Sequence, residues 1–469
     1  MLSRGAGIPP RRPVAGYVPS VAETFDAVVV GMGPGGEVVA GRLLDAGRRV
    51  AVVERELIGG ECAYWACIPS KTVLRAPEVV SEAARVDGVS AARLAWEPVR
   101  AYRDEMVRHL DDTAQVEGYR SQGAEVVKGA ARLAGPGRVR VGDRELVAEH
   151  VVVATGSEPV VPPIEGLDGV PHWTSRDVHA AAELPARAVV VGGSAVAVET
   201  ALFLARFGVA VTVVQRSDRL LRREEPRVGA LAADHLGEAG VDVRLGARPR
   251  RARRDGDDAV LELDGGDEVR GDVVVLATGR RPRTAGLGLE EAGVELRADG
   301  AVAVDDRCRA GDGLWAVGDV TGVAAFTHVA KYQGRVVADN ILGRDRRARY
   351  EGVPRVVFGD PEIAAVGLTA AQAAERGIRT LAAEVDLPEV ISRPWTYERD
   401  PRGHLGVLAD ADRDVLVGAW AVAPQAGEWI HLAALAVRAG VPVDTLLDQV
   451  AQFPTWTEGY LQALERLDR

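Results

Sequence analysis

The strongest constraint on the fold is a glycine-rich motif that occurs twice at the same spacing. In the first copy, the apolar segment 26–30 runs into GMGPGG, which contains Gly31, Gly33 and Gly36. An amphipathic helical pattern and a second apolar run follow, and that run ends at Glu54. This order predicts a dinucleotide-binding βαβ unit, in which the glycines allow a tight turn, close approach of a pyrophosphate and helix–sheet packing. The glutamate can accept hydrogen bonds from ribose hydroxyls.

The second copy begins at Gly192 and ends at Gln215, so that the turn and the strand end are 23 residues apart in both copies. The acid of the first copy is replaced by neutral Gln215, and Arg216 and Arg222 follow it. An acid at this place repels a 2′-phosphate, whereas arginines bind it bidentately. The second unit is therefore predicted to prefer NADPH, with Ser194 where a glycine is usual.

Two such units in one chain predict FAD and NADPH facing each other, with hydride passing between them. Two strands end in Ala-Thr-Gly, and the segment GLWAVGDVTG offers a carboxylate for the ribityl hydroxyls of a flavin. Further candidate nucleotide contacts are Ala131, Thr155, Gly156, Gly279, Gly318 and Asp319. The predicted fold class is α/β, with two Rossmann-like dinucleotide-binding domains, for FAD and NADPH, plus a C-terminal α+β dimerisation domain.

The segment GGECAYWACIPSK holds Cys62, Cys67 and Lys71. Three cysteines in the whole chain cannot form a disulfide framework, and they favour a reducing cytoplasm. A close cysteine pair there is redox-active or metal-binding; no second cluster supplies further ligands, so no metal is expected. Only three of the 57 basic residues are lysine, so Lys71 indicates a position that needs a compact ammonium.

Charge and hydropathy exclude several classes of partner. The net charge of −11 argues against a general nucleic-acid or anionic-membrane binder. No apolar stretch is long enough to span a bilayer. Residues 1–23 lack the apolar core of a secretory signal and are predicted to be a mobile extension. The arginine-rich run 248–254 is predicted to be a solvated turn.

The motifs together resemble the class I pyridine nucleotide–disulfide oxidoreductases, the family of dihydrolipoamide dehydrogenase, glutathione reductase and mercuric reductase. The resemblance rests on GMGPGG, GGECAYWACIPSK, VVVATGSEP, GGSAVAVE, LATGRRP, WAVGDVTG, VPRVVFGDPEIAAVGLTAAQA and FPTWTE. It implies a homodimer with an active site shared between subunits. The implied domains are FAD-binding (24–160 and 285–349), NAD(P)H-binding (161–284) and dimerisation (350–469).

The resemblance also assigns the site residues. Cys62 and Cys67 match the redox disulfide, with Cys62 facing the acceptor and Cys67 against the flavin. Five residues of regular helix rise about 7.5 Å, whereas a disulfide needs Cα atoms roughly 4.4–6.8 Å apart, so a distorted helix start is expected. Lys71 matches a lysine at the reactive edge of the flavin, where it pairs with a glutamate, here Glu199.

The chain departs from the family at two places. The motif HPTxSE, whose His–Glu pair serves the partner's thiol as acid and base, reads FPTWTE, with Phe453 for the histidine and Glu458 retained. Ordinary disulfide turnover is therefore expected to be compromised. Tyr64 and Trp65 either line an apolar acceptor pocket or pack against the subunit interface. The chain ends ALERLDR without a further cysteine pair, which disfavours mercuric ion as acceptor.

The sequence thus predicts an FAD enzyme that passes hydride from NADPH to the Cys62–Cys67 disulfide and then to a small-molecule or small-thiol acceptor. One alternative is a quinone reductase or diaphorase that acts directly from the flavin. A second is a 2-ketopropyl-coenzyme M-type reductase/carboxylase, which also has an apolar residue at the histidine position. The alternative outside enzymes is a redox sensor that holds FAD.

Overall fold

The computed structural model describes residues 23–90 and 92–468. The predicted extension, residues 1–23, lies outside the described residues except for Glu23, which begins the first strand. Three sheets carry the fold, and each is packed against its own helices. No helix in the described ranges has the length and apolar character needed to cross a membrane.

The first sheet begins with a strand that is buried on both faces. Its elements up to residue 159 are β1 (Glu23–Val30), β2 (Val50–Glu54), β3 (Glu125–Lys128), β4 (Ala131–Leu133), β5 (Arg138–Val141), β6 (Arg144–Val153) and β7 (Ser157–Pro159), with α1 (Pro34–Asp45), α2 (Gly60–Tyr64), α3 (Cys67–Arg85), α4 (Trp96–Met106) and α5 (Thr113–Ser121). β1 pairs in parallel with β2 and β6. Burial on both faces explains why β1 and β2 read as continuous apolar runs.

The second sheet repeats this plan. Its elements are β8 (His172–Trp173), β9 (Arg187–Val191), β10 (Ala210–Gln215), β11 (Asp242–Leu245), β12 (Pro249–Asp255), β13 (Asp258–Leu263), β14 (Glu268–Gly271), β15 (Val273–Leu276) and β16 (Arg280–Pro282), with α6 (Ser175–Ala180), α7 (Ala195–Arg206) and α8 (Pro226–Glu238). The parallel order is β11-β10-β9-β15-β8, and β12–β14 form a separate antiparallel sheet. β7 pairs with β16, so this short ribbon joins the two nucleotide-binding units.

The arginine-rich run predicted as a solvated turn is strand β12, so that prediction is wrong. Its arginines are held by acids on the neighbouring strands: Arg253, for example, contacts Glu268 of β14 at 2.7 Å. Opposite charges across strands stabilise a sheet. Because those acids lie beyond the run itself, the run taken alone does not predict a strand.

The chain then returns to the first sheet and ends in an antiparallel one. The remaining elements are β17 (Arg309–Gly311), β18 (Leu314–Ala316), β19 (Pro354–Val357), β20 (Glu362–Gly367), β21 (Thr380–Asp386), β22 (His404–Asp410) and β23 (Val415–Ala423), with α9 (Thr327–Ile341), α10 (Ala370–Glu375), α11 (Leu387–Val390), α12 (Arg393–Tyr397), α13 (Ala426–Trp429), α14 (His431–Ala439), α15 (Val443–Leu447) and α16 (Glu458–Leu464). The first sheet has the order β17-β18-β6-β1-β2-β3, and the last has β19-β20-β23-β22-β21. The predicted fold class is confirmed; the domain boundaries stay a prediction.

Candidate active site

The two cysteines lie on different helices, which is how the predicted distortion is realised. Cys62 is in α2, Cys67 is the first residue of α3, and Trp65 and Ala66 lie between them outside both helices. The turn into α2 depends on Gly59, whose φ of +119° favours glycine, and a Cβ there would lie 2.9 Å from the Ala63 side chain. Both cysteines are free thiols in this structure.

The two thiols differ in their proton affinity. A hydrogen bond from Cys62 lowers the pKa of Cys67 to about 6, and Thr327 and the charge of Lys71 act in the same direction against burial. The Thr327 Oγ1 atom lies 3.2 Å from the Cys67 Sγ atom. The same contact with Cys67, together with burial, raises the pKa of Cys62 above its usual range. Near neutral pH the pair therefore holds its remaining proton on Cys62 and its negative charge on Cys67.

Lys71 and Glu199 form an ion pair beside Cys67. The Lys71 Nζ atom lies 2.7 Å from Glu199 Oε2 and 4.7 Å from the centre of the Phe358 ring. Glu199 Oε1 accepts a hydrogen bond from the Phe358 backbone N–H at 3.0 Å. The glutamate is only 7% exposed, so its charge depends on these partners.

The two aromatic residues between the cysteines pack against the protein. Tyr64 is buried, and its hydroxyl donates to the backbone carbonyl of Ile58 at 3.2 Å. The Trp65 ring lies 4.2 Å from the guanidinium carbon of Arg176, and its carbonyl contacts His179 Nδ1 at 3.4 Å. Both side chains therefore pack on groups of their own subunit, an arrangement that neither of the two interpretations of the sequence included.

Glu61, which the sequence analysis did not single out, is the centre of an arginine cluster next to Cys62. Arg176 contacts it at 2.6 Å, Arg280 at 3.1 Å and Arg283 at 3.4 Å. Although burial opposes ionisation, the hydrogen bond from Arg176 and the charges of Arg280 and Arg283 hold the pKa of Glu61 below its usual value. Glu61 is therefore an ionised anchor and is unsuited to exchange protons with Cys62.

The first glycine turn fits the diphosphate of FAD. A Cβ on Gly31 would lie 2.4 Å from the Ala154 carbonyl oxygen, and one on Gly36 would lie 2.0 Å from the Gly31 oxygen. Gly33, in contrast, faces open space at the N-terminus of α1, where free N–H groups favour an anion. The Glu54 carboxylate at the end of β2 accepts from the Met32 backbone N–H at 2.8 Å, which fixes it beside the turn.

The other predicted FAD residues lie around the same sheet edge. Ala131 begins β4, while Thr155 donates to the Arg283 carbonyl at 2.7 Å next to Gly156. The Gly318 N–H donates to the Gln333 side chain at 2.7 Å. The predicted ribityl ligand Asp319 accepts from the Ser157 hydroxyl at 2.6 Å.

The second glycine turn has the same shape. A Cβ on Gly192 would lie 2.3 Å from the Ala277 carbonyl oxygen, and the Ser194 hydroxyl donates to that oxygen at 3.2 Å. Gln215, at the end of β10, packs on this turn and donates to the Arg219 carbonyl at 3.4 Å. Gly279, with φ +126°, is the last residue of the second Ala-Thr-Gly segment and faces open space.

Arg216 and Arg222 follow Gln215 and are exposed. Neither side chain has an ion-pair partner in residues 23–90 and 92–468, which is unusual because most arginines of this chain are paired. Two unpaired guanidinium groups beside a neutral Gln215 can hold a phosphate group.

Phe453 is far from being a core residue of its own subunit. Its side chain is 64% exposed, and it lies shortly before α16. Glu458 begins α16, and its Oε2 atom accepts from the Thr455 backbone N–H at 2.9 Å. The described residues contain no contact between either side chain and Cys62.

Comparisons with known proteins identify the family of this chain. Residues 25–334 match the model of the pyridine nucleotide-disulphide oxidoreductase family, and residues 353–464 match the dimerisation domain of the same family. The chain belongs to this family. Family members use FAD and a pyridine nucleotide, so the protein is a flavoprotein oxidoreductase with a C-terminal dimerisation domain.

The chain is similar to relatives that are named for different activities. It is 36% identical to a mercuric reductase from Streptomyces lividans, over 90% of this chain and 92% of that protein. It is 34% identical to a dihydrolipoyl dehydrogenase from Thermus scotoductus, over 95% and 98%. The HOCl-induced flavoprotein disulfide reductase RclA from Escherichia coli superposes with a TM-score of 0.84 at 29% identity, covering 94% of this chain and 99% of that one.

Proposed function

We propose that this oxidoreductase is a homodimer that takes hydride from NADPH and passes two electrons through FAD to Cys62 and Cys67, and from there to an external acceptor. The observation that carries the proposal is the thiol pair at the junction of α2 and α3, where Cys67 begins α3 with its Sγ atom 3.2 Å from Thr327 Oγ1 and near the Lys71–Glu199 pair. These surroundings favour the thiolate on Cys67 and leave the proton on Cys62. A pair divided in this way suits a buried thiolate that faces a cofactor and an outer thiol that exchanges with substrate.

FAD, when bound, supplies two-electron transfer between nicotinamide and the thiols. The residues that would hold it are Gly31, Gly33, Gly36, Glu54 and Asp319. The α1 N-terminus at Gly33 attracts the diphosphate. Glu54 would accept hydrogen bonds from the ribose hydroxyls and Asp319 from the ribityl hydroxyls.

Lys71 contributes a fixed positive charge next to Cys67. Its ammonium stabilises negative charge that develops near Cys67, and Glu199 offsets the cost of holding that ammonium in a largely buried place. A cation–π contact, in which the Lys71 Nζ atom lies 4.7 Å from the centre of the Phe358 ring, also keeps the lysine side chain in position.

The C-terminal domain exposes apolar side chains that support the proposed homodimer. Val450 is fully exposed, and Leu435 and Trp395 are more than half exposed on the same domain. Apolar groups of this size at a surface are typical of a protein–protein interface. In the proposed dimer, Phe453 approaches Cys62 of the partner subunit, and Glu458 stands behind it.

A thiol count tests the proposed function directly. The oxidised holoenzyme is unfolded and its thiols are titrated, with and without prior anaerobic addition of NADPH. We expect two more thiols after reduction, because the Cys62–Cys67 disulfide opens. The buried Cys308 adds one thiol to both counts. The Cys67→Ser variant should gain none. An unchanged count in the native enzyme would favour the direct flavin reaction of a quinone reductase or diaphorase.

We further propose that the nucleotide is NADPH rather than NADH, because Arg216 and Arg222 are unpaired beside neutral Gln215. Charge-assisted hydrogen bonds to a phosphate contribute on the order of 1–2 kcal/mol each. Arg216→Ala should therefore raise the KM for NADPH about fivefold or more and change that for NADH little. Arg244→Ala is the matched control, since Asp242 holds that guanidinium on the neighbouring strand at 2.8 Å. Equal use of both nucleotides by the native enzyme would contradict the proposal.

An acceptor screen compares disulfides, quinones and metal ions as the external acceptor. The similar proteins are named for mercury, for dihydrolipoyl groups and for disulfides, and a Cu(II) complex of RclA has also been solved. A steady-state screen with NADPH should compare small disulfides, quinones, dyes and Hg(II). If no compound in the screen supports NADPH oxidation, the result would favour a sensor that holds FAD. A dithiol that cycles in this way is suited to the reducing cytoplasm, where we place the enzyme.

A further inference from the structure

Lys331 differs from the other two lysines in its contacts with the described residues. Lys71 contacts Glu199 and Lys128 contacts Asp112, each at 2.7 Å. Lys331 lies on α9 and is exposed, and it has no hydrogen bond or ion pair in the part of the chain that the structure describes. An unpaired ammonium close to a thiol pair is available to act on a thiolate.

The face of α9 that carries Lys331 is turned toward the thiols. Residues four apart on a helix share a face, and Thr327, four residues before Lys331, lies with its hydroxyl 3.2 Å from the Cys67 Sγ atom. Gly334, three residues after Lys331, packs on α1 so closely that a Cβ would lie 2.8 Å from the Gly35 carbonyl oxygen. Lys331 therefore stands between the thiol pair and the contact of α9 with α1.

Cys62 needs such a charge because it is the protonated member of the pair. The groups that act on it are Cys67 of α3 and Thr327 and Lys331 of α9; burial and Cys67 raise its pKa, and the positive charge of Lys331 lowers it. The negative charge of Glu61, its neighbour on α2, is balanced by the positive charge of Arg176.

Two further charges act near Lys331 itself. Glu37, in the first turn of α1, lies within electrostatic range of both Lys331 and Arg108. Glu37 is ionised less readily than a free glutamate, since burial raises its pKa. The positive charges of Lys331 and Arg108 act against that burial, so the Glu37 carboxylate shares the charge of Lys331 with the Cys62 thiolate.

We propose that Lys331 stabilises the thiolate of Cys62 in the same subunit and so replaces part of the work of the acid–base histidine that is absent at Phe453. This inference rests on the proposed function, in which Cys62 is the thiol that meets the acceptor. With a disulfide acceptor, Cys62 loses its proton to water and its thiolate attacks one sulfur; the acceptor S–S bond breaks, and the first thiolate leaves and takes a proton from water. The Cys67 thiolate then displaces the second thiol, and the Cys62–Cys67 disulfide forms as the pair is oxidised by two electrons.

The test measures Cys62 directly, without turnover. Holoenzyme reduced with a phosphine and desalted under argon is alkylated with iodoacetamide across a pH series, and the label on Cys62 is located by tandem mass spectrometry. An opposite charge nearby lowers a pKa by about one unit or more. The Cys62 profile of Lys331→Met should therefore move up by about one unit, with labelling near neutral pH roughly tenfold slower, and Lys331→Gln should behave alike.

Two matched variants decide the cause. Lys331→Arg keeps the charge and should keep the wild-type profile, whereas Arg335→Met removes a charge one turn farther along α9 and should change nothing. An unshifted profile in both neutral Lys331 variants, or an equal shift in Lys331→Arg, would overturn the proposal. Because the phosphine reduces the pair independently of NADPH, this result stands apart from the thiol count that tests the proposed function.

Discussion

Phe453→His should raise the rate of disulfide reduction by about 10²–10⁴, the usual contribution of a positioned general acid or base. The physical reason is the protonated state of Cys62, whose pKa is raised by Cys67 and burial, so that little thiolate is present near neutral pH. The orienting carboxylate is already in place: Glu458 Oε2 is held by the Thr455 N–H at 2.9 Å. Steady-state reduction of a small disulfide with NADPH measures the effect.

Two further variants show whether the gain comes from a rebuilt His–Glu pair. Phe453→Leu keeps an apolar side chain and should leave disulfide reduction near the native rate. Phe453→His combined with Glu458→Gln should lose most of the gain, since the imidazole then lacks its carboxylate. No increase in the histidine variant, or a full increase without Glu458, would refute the idea that Phe453 occupies the place of an acid–base histidine paired with Glu458. A histidine variant that is slower with the native acceptor would instead indicate that Phe453 shapes the acceptor site.

Lys71→Met should destabilise the folded enzyme by about 3 kcal/mol, because removing one partner of a buried ion pair leaves an uncompensated charge. Glu199 is 7% exposed, and its carboxylate would retain only the Phe358 N–H. The expected loss is at the lower end of the range for such pairs because the Lys71 side chain is 35% exposed and water can reach the carboxylate from that side. Urea titrations at fixed protein and FAD concentrations measure it, since bound cofactor also stabilises the fold.

The double variant Lys71→Met, Glu199→Gln separates charge from packing. Replacing both partners removes the unpaired carboxylate, and most of the lost stability should return. Arg120→Met is the control for a surface pair: it removes an exposed cation that contacts Glu117 at 3.0 Å, and the expected loss is below about 1 kcal/mol. Equal losses in the single and double Lys71 variants would show that the lysine acts through packing alone.

Several parts of the site could be predicted because their reasons are local in the chain. A turn that passes Gly31 and Gly36 excludes any side chain, so the sequence must show glycine there, followed by an amphipathic helix and an apolar strand. The sequence likewise predicted the arginines after Gln215, from their charge. It predicted a distorted helix start at Cys62 and Cys67 from the geometry of a helix.

Other parts became visible only when distant segments were brought together. Glu61 gives no sign in the sequence that it will meet Arg176 and Arg283, which are 115 and 222 residues away. The sequence left Tyr64 open between an acceptor pocket and interface packing, whereas the folded chain buries it and bonds its hydroxyl to the Ile58 carbonyl.

The sequence by itself determined the two nucleotide-binding units and the thiol pair, because the backbone conformation and residue chemistry at each are set within a few residues. Only the tertiary structure decided which thiol keeps the proton, which arginines surround Glu61 and which lysine is left unpaired near the thiols. Those properties depend on burial and on charges from elements far apart in the chain, and an ion pair or a shifted pKa exists only when folding brings both groups within a few ångströms.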